Sequence, residues 1–118
     1  MTKNKNCTRY YSALQEKQVA KKLGGKVNAN SGATDFIKGD IRLEDILVEC
    51  KTVMEDKKSV SIKADWLTKL REEAFAMNKP YTMLAFNFKP GGEIFYVLDE
   101  KFIYYIIELM NKEKLNGN

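Results

Sequence analysis

Asp40 and the pair Glu49-x-Lys51 place two carboxylates and an ammonium group in and beside the apolar run Ile46-Leu47-Val48-Glu49-Cys50-Lys51-Thr52-Val53. That run is short and rich in β-branched residues, which suits a strand rather than a helix. Alternation along the strand puts Glu49 and Lys51 on one face and Val48, Cys50 and Thr52 on the other. A second short strand, Asp40-Ile41-Arg42, doubling back through Leu43-Glu44-Asp45, would bring Asp40 across the ladder from Glu49, with Glu44 and Asp45 at the hairpin tip. Carboxylate oxygens are the donors that a hard cation such as Mg2+ takes, and one or two suffice when the ion keeps several waters. A metal so held polarises a phosphate and acidifies a bound water, while the Lys51 ammonium orients the nucleophile or offsets developing charge. The spacing therefore predicts metal-dependent phosphodiester cleavage. The chain has no histidine, which excludes Ser-His-Asp triads, histidine-dependent nuclease sites and His-ligated zinc.

These residues resemble the PD-(D/E)xK nucleases, in particular the small junction-resolving branch of archaea and phages. Asp40 with Glu49-Cys50-Lys51 is similar to the family's metal-binding Asp and its (D/E)-x-K element, with Gly39 standing where the motif's name has Pro. Glu16, in Gln15-Glu16-Lys17-Gln18-Val19-Ala20-Lys21-Lys22-Leu23-Gly24-Gly25, looks like the acidic residue of the family's first helix. Asn30-Ser31-Gly32-Ala33 resembles the Ser-Gly loop that lies near the scissile phosphate in the resolvases. The order and spacing of the three parts, over roughly residues 10 to 90, carry the resemblance. It implies a restriction-endonuclease-like core and catalytic roles for Glu16, Asp40, Glu49 and Lys51. It implies a Mg2+ site, which Mn2+ can also fill, made by Asp40, Glu49, the backbone carbonyl of Cys50 and, through water, Glu16. It also implies a phosphate contact at Ser31 and branched DNA as the partner.

The residues alone leave plainer readings open. Asp40 and Glu49 could face solvent in a hairpin, paired with Arg42 and Lys51. An acid near a helix start, as at Glu16, is favoured by the macrodipole without any catalytic role. Ser31 lies in a stretch, Asn28 to Thr34, rich in turn formers.

Composition is that of one globular domain: 118 residues, 44% hydrophobic and 31% charged, with no internal repeat or linker. Twenty Lys and Arg against 16 Asp and Glu leave +4, so the pattern of charge says more than its sum. Lysines group at Lys3 and Lys5, at Lys21, Lys22 and Lys26, and at Lys57 and Lys58. Lys3, Lys5, Lys26, Lys57 and Lys58 are expected to contact DNA, against the alternative of ordinary solvated surface. Two cysteines, Cys7 and Cys50, are too few for a disulfide framework and point to a reducing compartment. No apolar run reaches a membrane-spanning length and Met1 to Arg9 lacks a signal's apolar segment, so an intracellular, cytoplasmic protein without membrane contact is expected; the resemblance to the resolvases implies a phage or mobile-element host cell.

The elements that must position these groups follow from periodicity and punctuation. A capping-box pattern from Ser12 and the positions Leu14, Val19, Ala20 and Leu23 predict a first helix stopped by Gly24-Gly25, preceded by a flexible arm over 1–9. Lys26 to Asn30 reads as a strand and Lys38 to Val53 as the hairpin. Ser61 is expected to cap a second helix ending near Asn78-Lys79-Pro80, with an apolar stripe of Ile62, Trp66, Leu70, Ala74 and Met77 that makes Trp66 a core residue rather than a base-stacking platform. Tyr81 to Phe88 and Glu93 to Leu98 read as strands, and Asp99 as the cap of a last helix through Phe102 to Met110, with residues 112–118 frayed. The sum is an α/β domain, a mixed β-sheet flanked by helices, in which the second helix crosses over between parallel strands. The last helix is apolar nearly all round, which predicts a homodimer, against the alternative of a monomer that uses this helix to complete its own core. The leading expectation is a structure-selective endodeoxyribonuclease, a Holliday junction resolvase. A nuclease of the same fold acting on duplex, flap or single-stranded DNA is the alternative, and a noncatalytic DNA-binding protein a further one.

Overall fold

A computed structural model describes residues 8–28 and 41–117. The elements are α1 (Thr8–Leu23), β1 (Lys26–Val27), β2 (Ile41–Arg42), β3 (Ile46–Lys51), α2 (Ala64–Ala76), β4 (Tyr81–Phe86), β5 (Phe95–Leu98) and α3 (Glu100–Gly117). The five strands form one mixed sheet in the order β1-β2-β3-β4-β5, in which only β3 and β4 run parallel. α2 makes the connection between them, as a parallel pair requires.

Alternation divides the core. Val48 of β3 and Met83 and Ala85 of β4 face Val19 and Ala20 of α1 and Phe102 of α3. Leu47 faces Leu70 and Ala74 of α2 on the other side. The sheet is thus covered by α1 and α3 on one face and by α2 on the other, and Cys50 packs against the first cluster as its register requires.

α1 begins a full turn before Ser12, so Ser12 is no cap and Thr8 and Arg9 belong to the helix rather than to an arm. Tyr10 and Tyr11, both half-buried with rings 5.2 Å apart, extend its packed surface beyond the expected start. Its stop is as expected: Gly24 takes φ +75, and the N–H groups of Gly24 and Gly25 donate to the Ala20 carbonyl at 2.9 and 3.0 Å. The β2–β3 turn closes over Glu44-Asp45 with Leu43 N–H donating to Ile46 O at 2.9 Å. Lys79, just past α2, ties this turn down by donating from Nζ to the carbonyls of Leu43 and Glu44, each at 2.7 Å.

α2 starts at Ala64, after an N-cap at Lys63 with no side-chain cap, so Ser61 and Ile62 lie outside the helix. Asp65 supplies the acid that suits its first turn. Asp99 caps α3 through Oδ1, which accepts from Phe102 N–H at 3.0 Å, while its Oδ2 lies 3.3 Å from Arg71 Nη2 of α2. α3 runs on to Gly117 instead of fraying after Met110. Lys112, Glu113, Lys114 and Leu115 are good helix formers and need no tertiary support to continue the last turns. Among the described residues no helix is long and apolar enough to cross a membrane.

Candidate active site at the end of the central strand

β3 is the middle strand of five, and Glu49 and Lys51 occupy its C-terminal end on the face that α2 covers. Both side chains are half-buried, with Lys51 Nζ 3.6 Å from Glu49 Oε2. Residues two apart on a strand share a face, so this proximity is dictated by the Glu-x-Lys spacing itself. The Lys51 ammonium also lies 4.3 Å from the centroid of the Trp66 ring, and Lys63 Nζ lies 5.8 Å from the same ring. Lys51 is thereby held between a carboxylate and an aromatic face.

The structure corrects the reading of Trp66 as core. Because α2 starts at Ala64, Trp66 falls in its first turn, beyond the Leu47–Leu70–Ala74 cluster that forms the core on this side. Its ring therefore meets lysine side chains at the strand's end, and remains half-buried.

α1 reaches the same strand end from the opposite face. Gln15 is buried, donates from Nε2 to the Lys51 carbonyl at 3.1 Å and accepts from Thr52 Oγ1 at 2.6 Å. One side chain thus satisfies two polar groups where β3 stops, and fixes the helix against the backbone of a candidate catalytic residue. The next residue is Glu16, half-buried, which begins the series Glu16, Val19, Ala20 and Leu23 at helical spacing. Three of those four pack into the core, so Glu16 belongs to the helix's inward stripe. Leu14, expected on that stripe, gives up its place to Gln15.

The hairpin register pairs Ile41 with Val48 and Arg42 with Leu47. Asp40 itself lies outside the described residues, as do Ser31, Lys3 and Lys5. Among the described residues no three Asp, Glu or Cys side chains gather to hold a metal ion. Glu49 and the Cys50 carbonyl are oxygen donors, and the Cys50 thiol packs toward the other face of the sheet. A donor set of carboxylate and carbonyl oxygens without histidine suits a hard divalent cation.

The lysines expected to contact DNA separate in space. Lys57 and Lys58 are exposed in the segment after β3, and Lys57 N–H donates to Phe88 O at 2.7 Å, which places them beside the strand ends. Lys26 lies on the outermost strand, paired with Arg42 at the level of Leu47. There it lines a cavity of about 250 Å3 with Gly24, Arg42, Leu43, Glu44 and Lys79, toward the other end of β3.

Several residues near the site escaped the sequence. Gln15 and Thr52 form a buried polar link that no local motif announces, because the two are 37 positions apart. Asn87 is buried directly after β4, and its Oδ1 has no hydrogen-bond partner. A lone Asn after an apolar strand was the available signal. Comparison with protein-family models, with curated proteins and with solved structures finds no match for this chain.

Proposed function

We propose that this chain is a metal-dependent, structure-selective endodeoxyribonuclease with a restriction-endonuclease-like core, and that its substrate is branched DNA of the Holliday junction type. The observation that carries the proposal is the pair Glu49 and Lys51, side by side at the end of the central strand with Lys51 stacked on Trp66. Asp40 is the second acid of this reading. The antiparallel ladder pairs Ile41 with Val48, and the proposal requires it to continue by one pair, setting Asp40 opposite Glu49.

Glu49, Asp40 and the Cys50 carbonyl would hold Mg2+ or Mn2+, with Glu16 reaching it through water. When bound, the ion supplies Lewis acidity at the phosphate and a more acidic water. Lys51 offsets the negative charge that develops on the phosphate, in a position preorganised by Glu49 and Trp66. Lys57 and Lys58 draw the DNA backbone toward the strand ends. Two copies of the chain, joined through the exposed apolar side of α3, would present two such sites to opposing strands of a junction.

The test incubates the protein, beside Asp40→Asn and Glu49→Gln, with labelled four-way junction, flap and linear duplex DNA, in Mg2+ and in chelator. Paired, metal-dependent nicks in the junction are expected from the parent. Both variants should lose cleavage yet bind junction DNA at least as tightly in chelator, because each removes a negative charge facing phosphates. Cleavage that survives either substitution would overturn the assignment of the acids, and cutting confined to flap or linear DNA would replace the junction as substrate.

A further inference from the structure

Aromatic rings continue outward from Lys51 across the sheet. Lys51 is the register neighbour of Phe86 on β4, and Phe86 that of Phe95 on β5, so the three side chains form one row on a single face. Phe88 joins them: its ring lies 5.5 Å from that of Phe86 and 5.5 Å from that of Phe95, and Phe86 and Phe95 are 5.9 Å apart. The buried residues of α2 lie over Leu47, and Phe95 is left 41% exposed. At the other end of the row stands Trp66 with the ammonium groups of Lys51 and Lys63 over its ring. Lys57 is a further lysine beside the aromatic surface, its backbone N–H donating to the Phe88 carbonyl. Acids accompany these lysines: Glu49 Oε2 is 3.6 Å from Lys51 Nζ, Glu55 Oε1 is 3.9 Å from Lys57 Nζ, and Asp56 and Asp65 are close to Lys57 and Lys63 in sequence.

Three phenylalanines at a sheet's margin, half-covered and flanked by lysines, do not close a core. π faces beside ammonium groups are what a nucleic acid strand with unstacked bases fits, the rings taking bases and the lysines the phosphates between them. A fully paired duplex hides its base faces and offers such a surface only backbone. We propose that Phe86, Phe88, Phe95 and Trp66 form a stacking platform for unpaired DNA bases next to the scissile phosphate, bases that in a junction substrate are supplied by opening of the pairs at the branch point. This rests on the nuclease reading for the meaning of the site, though not for its detection.

Trp66 is the only tryptophan, so its fluorescence reports on the platform directly. The full chain is titrated in chelator, where nothing is cut, with an oligothymidylate of about twelve nucleotides and with a blunt hairpin duplex. The expected result is quenching of Trp66 emission by the unpaired strand and an affinity about tenfold or more above that for the duplex. Phe95→Ser, at an exposed position, should lower affinity for the unpaired strand about tenfold and leave duplex affinity unchanged. Phe86→Leu, which keeps apolar volume and removes a π face, should act in the same direction. Duplex bound as tightly as the unpaired strand, or parental affinity in both variants, overturns the platform. Loss of the platform with metal-dependent cutting intact leaves the nuclease standing, whereas quenching and selective binding without any cutting supports the platform and removes the nuclease.

Discussion

Lys51 shows how much of a site one residue can carry. Its ammonium group is fixed by Glu49 at 3.6 Å and by the Trp66 ring at 4.3 Å, and its carbonyl is fixed by Gln15 from the other side of the sheet. Backbone and side chain are thus anchored by different elements, α1 and α2. Under the proposed function Lys51→Ala should lower turnover about 10²-fold with the melting temperature nearly unchanged, since a half-exposed ion pair contributes at most ~1 kcal/mol to stability. Single-turnover cleavage alongside thermal unfolding separates the two effects, and normal turnover would make Lys51 a bystander. Gln15 behaves oppositely. Gln15→Leu strips a partner from the Lys51 carbonyl and from the Thr52 hydroxyl, and should destabilise the fold by ~1–3 kcal/mol in urea unfolding. Adding Thr52→Val removes one of the two stranded groups, so the double variant should regain part of that loss. Strict additivity would show that the 2.6 Å contact between them contributes nothing.

Elements are held to the site by close approaches that sequence shows only in part. The turn after α1 brings Gly25 against β2: a Cβ there would meet Ile41 Cγ2 at 2.8 Å, Leu43 Cδ1 at 3.0 Å and the Arg42 carbonyl at 3.1 Å. Ile41 is fully buried and the carbonyl belongs to the ladder, so neither can retreat freely. Gly25→Ala should cost ~1–3 kcal/mol, read as a lowered urea midpoint, while an unchanged midpoint would mean that β2 shifts without strain. Gly24 and Gly25 were legible in sequence as a helix stop, but the second has this separate steric duty that only the packing reveals. Strand alternation made the shared face of Glu49 and Lys51 legible, and the crossover made the parallel pairing of β3 with β4 legible, because both follow from local geometry. Helix starts were not. Ser12 and Ser61 carried the chemistry of caps, yet α1 begins at Thr8 and α2 at Ala64; a cap hydroxyl contributes only about 1 kcal/mol, too little to fix a helix start by itself. The different setting of Trp66 follows from the second of these: it keeps its place on the stripe with Leu70 and Ala74, but in the first turn of α2 it lies along the helix axis beyond the core that those two residues form.

At the scale of the molecule, α3 has more apolar surface than the sheet can cover. Phe102 is buried and Tyr105 stacks on Tyr81 at 5.0 Å, with Phe102 on the same ring at 4.7 Å. A quarter-turn away, Ile103, Ile107 and Met110 follow one another at i, i+4 and i+7 and are 39%, 47% and 58% exposed. Such a stripe on a helix of 18 residues, about 27 Å long, is contiguous apolar exposure rather than scattered exposure. A second copy of the chain is the partner that the proposed chemistry asks for, because opposing strands of a junction need two sites in fixed relation and an isologous pairing supplies them by symmetry. Ile107→Glu together with Met110→Glu puts four like charges into that pairing, two from each copy, and should shift sedimentation at micromolar concentration from dimer to monomer. Neither residue packs in a core cluster, so the circular dichroism of the monomer should match the parent's. The consequence for cleavage is specific: each monomer keeps its Glu49 and Lys51, so nicking persists, but the two nicks of a junction become independent events and singly nicked junctions accumulate. A parent that sediments as a monomer would remove the pairing, and a double variant that still makes coupled nicks would place the two-fold contact elsewhere on the molecule.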